Sequence, residues 1–254
     1  MVELLFWPAL LGYGEAAFAY ASPRTSRLAT WGVRLGWLAQ TALLAFQAAH
    51  ADAFPWSTWA GSLNLFVWLV VGAYLIWGCR PRFRLLGLGV MPLAAILFVV
   101  ARVAGGVGDH HGAVQYGNAF LVLHVGSVLA AFAGFTLAAG LAGVYLWQER
   151  RLKRRDAGIL RLRLPPLASL ERLASRTIAV SLTLLTVGLA AGLVRAHDDG
   201  GRFDALEAVT ILTWLVYGSF VVTRPGGRRA AYLALGGFAL VILARLALAG
   251  SHFA

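Results

Sequence analysis

A chain of 254 residues that is 59% hydrophobic and only 13% charged does not read as a soluble domain, because a buried core needs a polar surface to enclose it. Apolar runs of roughly 20 residues, enough to cross a hydrocarbon core of about 30 Å, recur along the sequence, so the fold class is all-α: a polytopic transmembrane helical bundle of about eight spans. The net charge of +11 does not point to nucleic acid, since most of the arginines stand in short connections between apolar runs, where topology explains them.

Span 1 is expected over about Val2–Tyr20, ending at Ser22-Pro23-Arg24. With Glu3 and no early basic region, it reads as a first span rather than a cleaved signal peptide. Span 2 covers about Leu28–Ala49, and a short loop from His50 to Ser57 carries Asp52 and Pro55. Span 3 covers about Trp59–Gly78 and is followed by Cys79 and the basic Arg80-Pro81-Arg82-Phe83-Arg84. As the single cysteine, Cys79 excludes a disulfide within the chain and reads as a packing residue. Span 4 covers about Leu85–Val103, and its exit carries Gly105-Gly106 and Asp109-His110-His111. Span 5, about Gln115–Trp147, is longer than one bilayer, so its C-terminal end projects into water or the helix tilts. The longest connection, Gln148 to Arg172, holds a run of arginines and Pro165-Pro166. Span 6 covers about Leu173–Val194, and the loop after it carries His197, Asp198, Asp199 and Asp204. Span 7 covers about Ala205–Val222, a basic turn runs from Arg224 to Arg229, and span 8 covers about Ala230–Ala249, before His252.

Basic connections follow spans 1, 3, 5 and 7, and histidine-bearing connections follow spans 2, 4 and 6. By the positive-inside rule the basic loops face the cytoplasm of a bacterial inner membrane, and both termini lie outside. The whole chain, 1–254, is then one integral membrane domain. All six histidines, His50, His110, His111, His124, His197 and His252, fall at the outer side. The runs are continuously apolar rather than alternating, which excludes a β-barrel, and the two halves show no repeat of the kind a transporter would carry.

Polar residues inside apolar spans cost several kcal/mol unless paired or facing a cavity. Gln40, Gln47 and His50 share one helical face of span 2. On span 5, His124, Ser127, Ala131, Gly134 and Ala138 share another, whose small side chains suit close packing against a neighbour. Thr210, Trp214 and Tyr217 align on span 7, and Arg245, Ala249 and His252 on span 8. Glu15 in span 1 is protonated, paired or beside a cavity. Two imidazoles from separate helices at the outer surface suit the axial positions of a haem iron, with Trp or Tyr beside the porphyrin and arginine on a propionate. The competing use of these histidines is zinc, for which Asp109-His110-His111 and His197-Asp198-Asp199 supply the right ligand types, without any HExxH-type signature.

Four segments resemble the cytochrome c assembly protein family, which includes haem-handling proteins of cytochrome c maturation and the eight-span HemX-like proteins. They are Leu121-Val122-Leu123-His124-Val125, the run from Leu164 to Arg172, the stretch from Ile211 to Tyr217 with Thr223-Arg224 and the run from Gly227 to Leu233, and the terminal Gly250-Ser251-His252. The resemblance covers roughly 63–254. It implies an outer haem site between spans 5 and 8, with His124 and His252 as axial ligands to a non-covalently held b-type haem. On that reading Arg245 contacts a propionate, Trp214 and Tyr217 line the site, and His50 is a third candidate ligand. The loop Ala196–Asp204 lacks the tryptophan-rich, WWD-like motif of haem-attaching members, so the resemblance is closest to the HemX-like branch and implies haem holding without bond-breaking chemistry. The partners implied are the lipid bilayer, haem, and another cytochrome c assembly protein or an enzyme of haem synthesis. In the alternative reading the chain is a scaffold or regulator of haem synthesis, working through the basic loop Gln148–Arg172.

Overall fold

The computed structural model describes residues 2–21, 25–50, 56, 58–77, 83–107, 119–155, 164–198 and 205–248, with the side chains of some helix ends, among them Arg195, His197, Asp198 and Arg245, left out. Cys79, Asp52, Asp109, His110, His111, Asp199, Asp204 and His252 lie outside the described residues. Among the described residues every extended element is an α-helix: α1 (Val2–Ala19), α2 (Ser26–His50), α3 (Trp59–Trp77), α4 (Arg84–Val103), α5 (Ala119–Lys153), α6 (Leu167–Asp198), α7 (Ala205–Thr223) and α8 (Gly227–Leu248).

One helix stands at each expected span. Four stretches, Trp59–Ile76, Leu85–Val103, Phe120–Lys153 and Leu167–Val194, are long and apolar enough to cross a membrane by themselves. Leu4–Ala19 and Ala208–Thr223 are apolar but shorter. In α2 the reason for low hydropathy is visible: Arg34, Gln40 and Gln47 interrupt the apolar sequence, and both glutamines are buried in hydrogen bonds rather than turned to lipid. α5 and α6 outrun the spans expected there, because hydropathy ends at the bilayer edge while helical hydrogen bonding does not. At 35 residues α5 is about 52 Å long by the helical rise, well beyond a core of about 30 Å. α6 starts directly after Pro165-Pro166, which suits a helix beginning, where proline costs no hydrogen bond.

The helices fall into two compact units, residues 1–119 and 120–254. In the first, α1 crosses α2 with backbones nearly touching. A Cβ on Gly12 would lie 2.7 Å from the Gly32 carbonyl oxygen and 2.8 Å from Gly36 Cα, so the crossing requires glycine on both helices. Phe98 of α4 packs on Phe6 and Tyr13 of α1, and Trp37 of α2 stacks on Trp68 of α3 with ring centres 5.2 Å apart. Through this apolar packing runs a chain of buried amides. Tyr13 Oη donates to Gln40 Oε1 at 2.6 Å, and Gln40 Nε2 donates to Asn64 Oδ1 at 2.9 Å. Asn64 Nδ2 donates to Gln47 Oε1 at 3.1 Å, and both Asn64 Nδ2 and Gln47 Nε2 reach the Gly106 carbonyl at 3.3 Å. The chain ties α1, α2 and α3 to the turn that leaves α4.

In the second unit α5 and α6 run antiparallel along the small-sided face expected on span 5. Ala131 and Ala138 are fully buried, and a Cβ on Gly134 would run into Ser181 Oγ of α6. Tyr217 of α7 is also fully buried, stacked flat on Phe135 of α5 with ring centres 3.8 Å apart, and its hydroxyl donates to the Ala234 carbonyl of α8 at 3.1 Å. At the basic end two glutamates bind the connections together. Glu149 pairs with Lys153 at 2.8 Å and with Arg228 at 3.0 Å. Glu171 Oε1 accepts the Gly227 backbone N–H at 2.9 Å, which caps the start of α8 with a carboxylate from α6. Gly227 has φ +61°, a conformation that favours glycine. Glu171→Ala is expected to cost about 1 kcal/mol through loss of that cap, read as a lower thermal midpoint in detergent, whereas Glu171→Gln keeps an acceptor oxygen and most of the stability. Equal losses in both variants would show that the cap is not the source.

Candidate functional site

His124 lies early in α5, where the helix meets α6 at its glycines. Its half-buried ring is 2.7 Å from the Gly188 carbonyl oxygen through Nδ1. A carbonyl can only accept, so Nδ1 carries a proton, and in the neutral ring it is Nε2 that keeps the lone pair. Gly188 already serves the α6 ladder, but a carbonyl oxygen has a second lone pair for the imidazole. One turn on, Gly192 leaves the space that the ring fills, since a Cβ there would sit 2.7 Å from Nδ1 and 2.8 Å from Cε1. Gly188 does the same for Val128, whose Cγ2 would lie 2.6 Å from an added Cβ. The two glycines therefore set both the depth and the tautomer of His124. Ser127, one turn below, turns its hydroxyl back onto the Leu123 carbonyl.

The other described histidine side chain is held in the same way. His50 closes α2, exposed, with Nδ1 3.0 Å from the Phe46 carbonyl one turn back and its ring stacked on Phe46 at 4.0 Å. Each imidazole spends Nδ1 on a backbone carbonyl and presents Nε2. A ligating histidine is commonly oriented by this pattern, with the second nitrogen fixed by a carbonyl or carboxylate and the first left for a metal.

Trp214 donates its indole N–H to Thr186 Oγ1 of α6 at 2.9 Å. Thr186 and Gly188 are two residues apart, about 200° around the helix, so Trp214 and His124 meet the same stretch of α6 from different sides. Tyr217 is one turn further along α7, within the α5–α7–α8 packing described above. Arg245 stands on α8, with its side chain outside the described residues, and His252 lies outside them too. Among the described residues no three His, Cys, Asp or Glu side chains gather as a metal cluster. The two acid-and-histidine sets considered for zinc, Asp109-His110-His111 and His197-Asp198-Asp199, lie outside the described side chains.

Several residues at these places carry no mark in the sequence. Gly188 and Gly192 look like ordinary glycines of an apolar run. Asn64, of the first unit, is marked in the sequence only as a single polar residue in the middle of span 3. Tyr13 shows its role only once Gln40 is placed opposite.

The fold defines an integral membrane helical protein, with the His124 imidazole seated against the Gly188 carbonyl of α6. The chain matches the family described as "Cytochrome C assembly protein" over residues 56–251, and it belongs to that family. It is similar to a protein named "Cytochrome c biogenesis protein CcsA" from Microcystis aeruginosa, 25% identical over 292 aligned residues that cover 94% of this chain and 89% of the relative. A relative of the same name from Guillardia theta is 26% identical over 228 residues, covering 79% and 75%. One from Synechococcus sp. (strain RCC307) is 34% identical over a shorter 139 residues, 48% of this chain and 44% of the relative.

Proposed function

We propose that the chain works in cytochrome c biogenesis by holding haem at the outer face of a bacterial inner membrane, with His124 Nε2 as one axial ligand and His252 as the other. The observation that carries this is the bond from His124 Nδ1 to the Gly188 carbonyl, which fixes the tautomer a haem iron needs. Arg245, on α8 towards His252, pairs with a propionate. Trp214 lines the site from α7, and Tyr217 holds α5 and α8 at their spacing. Haem supplies the iron and the porphyrin to be passed on, and the protein binds and orients it without a covalent bond. The name of the matched relatives, cytochrome c biogenesis, supports this reading over a scaffold of haem synthesis acting through the loop Gln148–Arg172.

Absorption spectroscopy of the purified protein tests it. The wild type is expected to give a bis-histidine Soret band. His124→Ala and His252→Ala should each reduce it severely, and His50→Ala should leave it if His252 is the partner. Stoichiometric haem loading untouched by both the His124 and the His252 substitution would overturn the assignment.

A further inference from the structure

The basic end of the second unit carries an open groove of about 560 Å³ between α5 and α8. Its first wall is Gly143, Leu146, Trp147, Arg150 and Arg151 of α5 with Arg154 in the turn directly after it, positions that share one helical face. Tyr232 and Leu235 of α8 form the other wall. The lining is layered along the helix axis. Gly143, Leu146 and Leu235 make an apolar floor, Trp147 and Tyr232 an aromatic level above it, and the three arginines the rim. Hydrocarbon, interface and headgroup follow one another in this order at a membrane surface, where Trp and Tyr mark the boundary.

The length of α5 puts the groove at that depth. Counting about 30 Å of core at 1.5 Å per residue from the His124 end, the helix leaves hydrocarbon close to Tyr145, so Trp147 falls at the boundary and Arg150 to Arg154 among the headgroups. Two of the three rim charges, Arg150 and Arg154, are left for a ligand among the described residues. The acid of this end of α5, Glu149, is turned to Lys153 and Arg228. Arg150 and Arg154 are exposed, and among the described residues neither forms an ion pair. Arg151 lies over the Trp147 ring at 4.8 Å, which orients it at the aromatic level. Gly143 keeps the floor open, since a Cβ there would meet no atom within 4 Å.

We infer that this groove is a binding site for one anionic phospholipid, its phosphodiester held by Arg150, Arg151 and Arg154 and an acyl chain laid along Gly143, Leu146 and Leu235. Arginine is suited to the headgroup because its fork of N–H donors engages two phosphate oxygens at once. A general basic surface would attract any anion diffusely, but the apolar floor and aromatic step select a molecule that is anionic at one end and hydrocarbon at the other. The bound lipid fills the seam between α5 and α8, the two helices that carry His124 and Arg245 in sequence, at their opposite end.

Native mass spectrometry of the full-length protein in detergent, titrated with phosphatidylglycerol or phosphatidylcholine, tests this. One phosphatidylglycerol per chain is expected to remain bound under conditions that strip phosphatidylcholine. Each basic residue near an anionic surface contributes about a fivefold factor, so the double variant Arg150→Ala with Arg154→Ala should bind phosphatidylglycerol about thirtyfold more weakly. Gly143→Phe, which fills the floor and leaves the arginines in place, should lower retention as well. The double variant Arg155→Ala with Arg229→Ala removes the same charge from exposed positions outside the groove and should change little. Equal retention of the two lipids, an undiminished preference in the Arg150 and Arg154 variant, or an equal loss in the Arg155 and Arg229 variant would each overturn the proposal.

Discussion

Asn64→Leu is expected to lower the stability of the protein by about 2–3 kcal/mol, from the usual cost of about 1–3 kcal/mol for each buried hydrogen-bonding group deprived of its partner. Asn64 is fully buried, and its side chain is the centre of the amide chain in the first unit. Leucine fills a similar volume, so the loss is not a cavity. It is the donor that Asn64 gives to Gln47 Oε1 and the acceptor that it gives to Gln40 Nε2. Two effects limit the loss. Gln40 Nε2 keeps the Asn64 backbone carbonyl at 3.1 Å, and the Gly106 carbonyl keeps Gln47 Nε2. Hydrogen bonds between membrane helices also average only about 0.6 kcal/mol, which holds the estimate at a few kcal/mol for several bonds. The measurement is unfolding in mixed detergent micelles. A double-mutant cycle with Gln47→Leu separates a network from independent bonds: the pair should cost less than the sum of the single changes. Strict additivity would refute the coupling.

The face of Gln40, Gln47 and His50 was legible in the sequence because polar residues at helical spacing in an apolar run have one economical explanation. The structure divides it by depth, with Gln40 and Gln47 buried among amides and His50 exposed at the helix end. Asn64 was harder, since one polar residue has no period and its meaning comes from partners on other helices. The small-sided face of α5 was also legible, down to the individual residues, but not its partner. Gly12, Gly32 and Gly36 are visible as glycines, and Gly32 and Gly36 stand four apart, yet nothing local says that Gly12 of α1 closes the crossing. Likewise the run from Leu164 to Arg172 and the basic turn before α8 read as two separate motifs. They are joined by Glu171 on the Gly227 N–H, a contact 56 residues long in sequence that periodicity does not encode. Hydropathy located every helix, and α2 keeps its place despite Gln40 and Gln47 because the cost of these polar groups is met by pairing inside the unit.

Gly192→Ala is expected to weaken haem binding about 10- to 100-fold, the usual cost of disturbing a group that orients a metal ligand, while leaving the fold intact. The added methyl would lie 2.7 Å from His124 Nδ1 and 2.8 Å from Cε1, too close for any real contact. What gives way is the imidazole, the tip of a side chain, rather than backbone. It rotates off the Gly188 carbonyl, and with that the fixed tautomer and the direction of Nε2 are lost. The helix itself gains, because alanine is favoured over glycine in a helix interior by up to about 1 kcal/mol. Stability and haem affinity should therefore move in opposite directions, or stability should hold while affinity falls. Destabilisation of α6 cannot produce that pattern, so it separates a positioning role of Gly192 from a merely structural one. His124→Ala sets the limiting loss, and Gly192→Ala should fall short of it with a shifted and weakened Soret band, since Nε2 is still present but no longer aimed. Gly126 offers the control on α5, as a Cβ there meets no atom within 4 Å, and Gly126→Ala should leave the spectrum unchanged. Full haem occupancy with an unshifted band in Gly192→Ala would mean that the seat made by α6 does not govern the ligand, whatever His124 itself contributes.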